Sequence, residues 1–185
     1  DEIERVIEEL KKRLDENRRV LEEIIRRLEE LAKRNKRHSE ELEKRLREEL
    51  DKVRKRLEET GTDEEVEKIL RTVKREVDKI LRENEEHSRK SSEDVKKILD
   101  EARKHSEDVV RTVEDILRDV ARRGLPRELI ERMREVVEEV ERALRKSLKD
   151  VEDVVREVEK KNKELLEKSK KVVEDVRRTL EKLRE

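Results

Sequence analysis

The sequence predicts an all-α protein: a straight, up-down-up three-helix bundle of long antiparallel helices, each about 58 residues. Three observations lead there. Of 185 residues, 58% are charged and none is aromatic, while the 30% that are hydrophobic recur at helical spacing. Turn chemistry occurs at only two places, dividing the chain into near-equal thirds. Finally, apolar pairs repeat after every five whole turns of an α-helix, a spacing of about 18 residues.

Heavy charge with low hydrophobicity can signal disorder. Here the strong apolar period and the near-absence of Pro (one) and Gly (two) argue for long helices instead. The first junction is "EETGTDEEV", residues 58–66. Gly61 suits the left-handed cap that closes a helix. Thr62 then suits an N-cap, with Glu65 completing a capping box. The second junction is "RRGLPREL", residues 122–129. Gly124 suits the cap, and Pro126 suits a first turn, where its missing N–H is not needed. Asp1 and Glu2 put negative charge at the first N-terminus, as the helix dipole favours. The expected helices are therefore about 1–60, 63–123 and 126–185, forming a single bundle over 1–185. Each would be about 87 Å long.

In the first helix the apolar positions, among them Ile3, Ile7, Leu10, Leu28, Leu46 and Leu57, cover about 140° of a helical wheel. The second repeats Ile80/Leu81, Ile98/Leu99 and Ile116/Leu117. The third repeats Val136/Val137, Val154/Val155 and Val172/Val173. A pattern locked to whole turns keeps one face aligned without supercoiling, whereas a strict heptad would impose a left-handed coil.

Polar residues interrupt these apolar faces. Asn17, Asn35 and Ser39 fall inside the first arc, with His38 at its edge. In the second helix Asn84, Ser88, Ser91 and Ser106 fall inside, with His87 and His105 at the edge. In the third, Ser147, Asn162 and Ser169 fall inside. Antiparallel partners should have numbers summing to about 123 around the first junction and about 249 around the second. That arithmetic places Asn17 level with His105, Ser106 and Ser147. It places Asn35 and His38 level with Asn84, His87 and Ser88, and these level with Asn162. Two polar layers are thus expected. An unpaired buried polar group costs about 1–3 kcal/mol, so these groups must satisfy one another. Asn, neutral His and Ser together carry the donors and acceptors to do so. Such a layer adds little net stability. It discriminates against shifted registers, which would bury its members without partners.

In its capped junctions "TGTDEE" and "RGLPRE", near-equal helices, five-turn register and polar layers, the chain resembles computationally designed helical bundles with buried hydrogen-bond networks. The resemblance spans the whole chain. It implies a structural scaffold with no natural biochemical activity. Members are commonly oligomers of helical hairpins or single chains derived from them. Some use buried His layers as acid-triggered switches, and this chain has three His. Natural three-helix rods such as spectrin repeats are a competing resemblance, but they carry buried aromatics and less regular surfaces.

Other function classes fit less well. A partner-helix or homo-oligomer module would use flanking apolar positions such as Val110, Ala121, Val137 and Val155. Buried neutral His would make either arrangement pH-responsive. An enzyme or metal site is disfavoured. His105 lies about 27 Å along the helix from His87, and two His without a core carboxylate or Cys make a poor zinc site. No cofactor motif such as a Gly-rich phosphate loop occurs. Lys plus Arg (53) balances Asp plus Glu (54), so no nucleic-acid partner is expected. No apolar run of about 18 residues exists, so no membrane span is expected, and no leader points to a native compartment.

Overall fold

The computed structural model describes residues 2–59 and 61–184 of the chain. Its elements are three helices: α1 (Glu2–Glu59), α2 (Asp63–Arg122) and α3 (Arg127–Arg184). The fold is a three-helix bundle, and the boundaries fall within a residue or two of those expected. Asp1 lies outside the described residues, while Glu2 and Glu4 occupy the first turn of α1.

The junctions show the chemistry that sets the helix ends. The Glu65 N–H donates to Thr62 Oγ1 at 3.4 Å, and the Val66 N–H to the Thr62 carbonyl at 3.2 Å. Thr62 is therefore the N-cap of α2. Among the described residues the return bond from the Glu65 side chain is absent, so the capping box is half formed. At the second junction Gly124 has φ 69°, the left-handed conformation that an L-residue adopts only with strain. The N–H groups of Leu129 and Ile130 donate to the Pro126 carbonyl at 3.0 and 3.2 Å, so Pro126 stands at the N-cap, one residue before α3 begins and not inside its first turn as expected. The left-handed conformation expected at Gly61 turns on its link to Thr60, outside the described residues.

The helices contribute to two compact units. The first comprises residues 1–29 and 95–157, and the second residues 30–94 and 158–185. Each unit contains a segment of all three helices. In the first, Leu10 of α1 packs with Val109 and Val113 of α2 and with Val137, Val140 and Leu144 of α3. In the second, Leu42, Leu46 and Val53 meet Val73, Val77 and Ile80 of α2 and Val173, Val176 and Leu180 of α3. Both clusters consist of branched aliphatic side chains, as a core without aromatics requires.

Burial follows the five-turn register. Leu10, Leu28 and Leu46 stand one repeat apart and are all fully buried. Val77, Val95 and Val113 do the same on α2, and Val137, Val155 and Val173 are buried in the same relation on α3. Of the flanking positions that an added helix would use, Val137 and Val155, both in the first unit, are buried. Val110 is half-buried and Ala121 is exposed. Among the described residues no helix is long and apolar enough to cross a membrane.

Buried polar layers as the candidate functional site

The polar interruptions occupy positions of the same register that carry aliphatic residues elsewhere. Asn17 and Asn35 share theirs with Val53, Asn84 with Ala102 and Val120, and Asn162 with Leu144 and Leu180. All of these side chains are buried. The helix therefore carries each Asn inward because its angular position is a core position.

In the second unit the centre of the layer is Asn35. Its Nδ2 donates to Ser91 Oγ at 2.7 Å, a buried contact between α1 and α2. Its Oδ1 lies 3.1 Å from His87 Nε2. A carboxamide oxygen only accepts, so His87 carries its proton on Nε2 and donates. His38 stacks on His87, with ring centroids 3.8 Å apart and planes inclined by 19°. On α3, Asn162 Nδ2 donates to the Ser88 backbone carbonyl at 3.3 Å. The Ser88 hydroxyl is not the partner; its carbonyl is. Ser169 Oγ donates back to the Leu165 carbonyl at 2.9 Å, one turn earlier. This layer thus links α1 to α2 and α2 to α3.

The first unit holds a smaller version. His105 Nδ1 lies 2.7 Å from Asn17 Oδ1, so His105 carries its proton on the opposite nitrogen from His87. Asn17 is 0% exposed. Ser106 is buried and Ser147 half-buried. Among the described residues no hydrogen bond joins Ser147 to Asn17 or His105, so here only α1 and α2 are bridged. The register arithmetic holds: hydrogen-bonded α1–α2 partners have numbers summing to 122, 122 and 126, and the α2–α3 pair to 250.

Satisfaction is incomplete. Asn17 Nδ2, Asn84 Nδ2, His38 Nε2 and Ser106 Oγ are buried with no hydrogen-bond partner. The expectation that every member finds a partner is met for Asn35, His87, His105 and Asn162, and not for these atoms. Asn84 shows why. Asn35, the α1 amide nearest its level, already directs both its oxygen and its nitrogen to His87 and Ser91. One consequence is measurable. Asn84→Val places at 84 the residue found at the equivalent position 120 and removes an unpaired donor. It should stabilise the protein by about 1 kcal/mol in guanidinium unfolding. A loss of that size would mean Asn84 Nδ2 is satisfied in solution.

Ser91 belongs to the layer although its neighbours Asn84, His87 and Ser88 were the more obvious candidates. The signal for it is its place in the register, equivalent to Val73 and Val109, both buried.

The electrostatics of the His38–His87 pair has a definite sign. Burial lowers the pKa of His38 below its ordinary 6.5, with Arg45 assisting and Glu41 and Glu83 opposing. Burial likewise lowers that of His87, with His38 and Lys90 adding to the effect. Glu83 itself is held as a carboxylate chiefly by its hydrogen bond to Arg45. Each imidazole therefore binds a proton more readily in the unfolded chain than in the folded one. Their contribution to stability is intact above pH 6.5 and is lost as pH falls through 6.5 towards the lowered folded values. The guanidinium midpoint should drop between pH 7.5 and pH 5, and a His38→Leu/His87→Leu variant should show a flatter profile over that window. An identical slope in the variant would assign the effect to other groups.

Cross-helix ion pairs surround the layers. Arg27–Glu101 (2.6 Å) lies in the first unit. Arg45–Glu83 (2.9 Å) and Arg177–Asp78 lie in the second. All are substantially solvated, so each contributes at most about 1 kcal/mol. Among the described residues no group of three or more His, Cys, Asp or Glu is arranged to hold a metal ion.

No protein-family model matches the chain, and no curated protein matches it in sequence. Among solved structures it is similar to a computationally designed three helix bundle. The match has a TM-score of 0.56 and 17% identity, and covers 99% of this chain and 89% of that one. At that identity the likeness is one of fold, the three-helix bundle.

Proposed function

We propose that this chain is a designed structural scaffold with no natural biochemical activity, and that its buried Asn/His/Ser layers specify which helix faces pair and in which register. The observation that carries the reading is the coincidence of two patterns. Polar residues replace aliphatic ones at equivalent positions of a five-turn register, and they do so at matching levels on α1, α2 and α3. A register slip would separate Asn35 from Ser91 and His87 and bury all three unpaired. The idealised junctions and the fold likeness to a designed bundle support the same reading. Its regular Glu/Lys/Arg surface does too.

The test replaces the Asn and His of the layers, with Ser91, by their register equivalents: Asn17→Val, Asn35→Val, His38→Val, Asn84→Val, His87→Ile, Ser91→Val, His105→Ile and Asn162→Leu together. The parent should scatter light as a single species of 22.5 kDa at pH 7.5. The aliphatic variant should be at least as helical and more resistant to guanidinium, yet distribute over several masses or conformers. A variant with one mass and one set of amide resonances would remove the register role. A parent mass that is a multiple of 22.5 kDa would make the apolar faces an interface between copies, and its dissociation at pH 4.5 would make the His residues responsible.

A further inference from the structure

The chain's net charge is −1, but its charge is not evenly spread. Residues 33–37 of α1, "KRNKR", hold four basic side chains and no acid. Residues 160–171 of α3, "KKNKELLEKSKK", hold six Lys against two Glu. Both segments belong to the second unit. They meet at a groove of about 470 Å³ whose floor includes Ala32 and Leu165 and whose rim carries Lys33, Lys36, Lys161 and Lys168. One carboxylate, Glu164, lines it.

Ala32 accounts for the depression. Its register equivalents, five turns before and five turns after, are Leu14 and Leu50, both half-buried. The register therefore calls for Leu at 32. Ala there omits three carbons from the α1–α3 seam and leaves apolar surface at the bottom of a basic rim.

We propose that this groove binds a small amphiphilic anion, an aromatic or alkyl sulfonate, sulfate or carboxylate. Its apolar body covers Ala32 and Leu165, and its acid group sits at the rim that carries Lys36 and Lys168. The size suits a drug-sized ligand, since such sites are typically about 300–1,000 Å³. The charge selects the class. Lys33 pairs with Glu30 at 3.9 Å, but Lys36 and Lys168 leave the rim with a positive excess over Glu164, so an anion gains there while a cation or neutral molecule does not. A wider groove of about 600 Å³ in the first unit provides the contrast: Arg103, Arg111 and Arg145 are matched there by Glu107, Glu114 and Glu141, and nothing selects an occupant.

The probe is 1-anilinonaphthalene-8-sulfonate, titrated into the whole chain at low salt and compared with uncharged N-phenyl-1-naphthylamine. The sulfonate should bind at one site, about tenfold more tightly than the neutral dye, and weaken as salt is raised. Ala32→Leu should fill the floor and reduce sulfonate affinity about tenfold or more with helicity unchanged. Lys36→Glu/Lys168→Glu should do so through the rim while leaving the neutral dye unaffected. Equal affinity for the two dyes, or sulfonate binding that survives Ala32→Leu, overturns the proposal. Absence of sulfonate binding together with salt-dependent binding of short duplex DNA, lost in the double Lys variant, also overturns it and reassigns the patch to polyanions.

Discussion

Leu46→Ala is expected to lower the free energy of unfolding by about 3–4 kcal/mol, the largest effect of a single substitution considered. Leu46 is fully buried among Val73, Val77 and Val173 in the aliphatic cluster of the second unit. Removing its isobutyl group forfeits the transfer free energy of three carbons and leaves a cavity that neighbouring valines are too short to fill. In a core without aromatics, no flexible large ring can swing in to compensate. Guanidinium unfolding followed by circular dichroism reads the change directly. Leu183→Ala is the control, because Leu183 is 37% exposed and its loss should stay within about 0.5 kcal/mol. Similar losses at the two positions would mean that the second unit packs differently around Leu46.

The second large effect is expected at Asn35. Asn35→Ala removes the acceptor of His87 Nε2–H and the donor to Ser91 Oγ. Two polar groups lose their partner in one step, and the expected destabilisation is about 2–3 kcal/mol. His87 is half-buried and can turn part of its ring to water, which keeps the figure below two full penalties. The signature that separates a network from simple packing is non-additivity. Once Asn35 is Ala, Ser91→Ala should cost about 1 kcal/mol less than it does in the parent, because the bond it would break is already gone. Strict additivity would mean the two side chains are not coupled. Together with the opposite sign expected at Asn84, this contrast distinguishes paired from unpaired Asn within one layer.

The helices, their junctions and the two polar levels were legible in the sequence because each rests on local rules. A 3.6-residue period fixes which face is buried, and Thr62, Gly124 and Pro126 each satisfy a helix end through their own chemistry. Antiparallel pairing then sets the levels, and the observed partner sums lie within about three of the expected values. What the sequence left open depends on rotamers. Nothing in a wheel separates the Ser88 hydroxyl from its carbonyl, yet Asn162 uses the carbonyl. Nothing in it separates a His that accepts from one that donates, or indicates that His38 stacks on His87 instead of bonding to Asn84. Ser147 shares a level with Asn17 but remains half-buried and, among the described residues, unlinked to it. The basic groove at Ala32 was also written in the sequence, as an Ala where the register places Leu at 14 and 50. It is found only by comparing each position with its equivalents five turns away.

Whether the layers are formed hydrogen-bonded contacts that fix helix pairing is read most directly from the protonation sites of the His87 and His105 imidazoles, by ¹⁵N resonances at pH 7.5. The expected result is opposite tautomers in one chain: His87 protonated on Nε2, donating to Asn35, and His105 protonated on Nδ1, donating to Asn17. Asn35→Ala should release the first without disturbing the second. Two imidazoles averaging between tautomers, as a solvated histidine does, would contradict it.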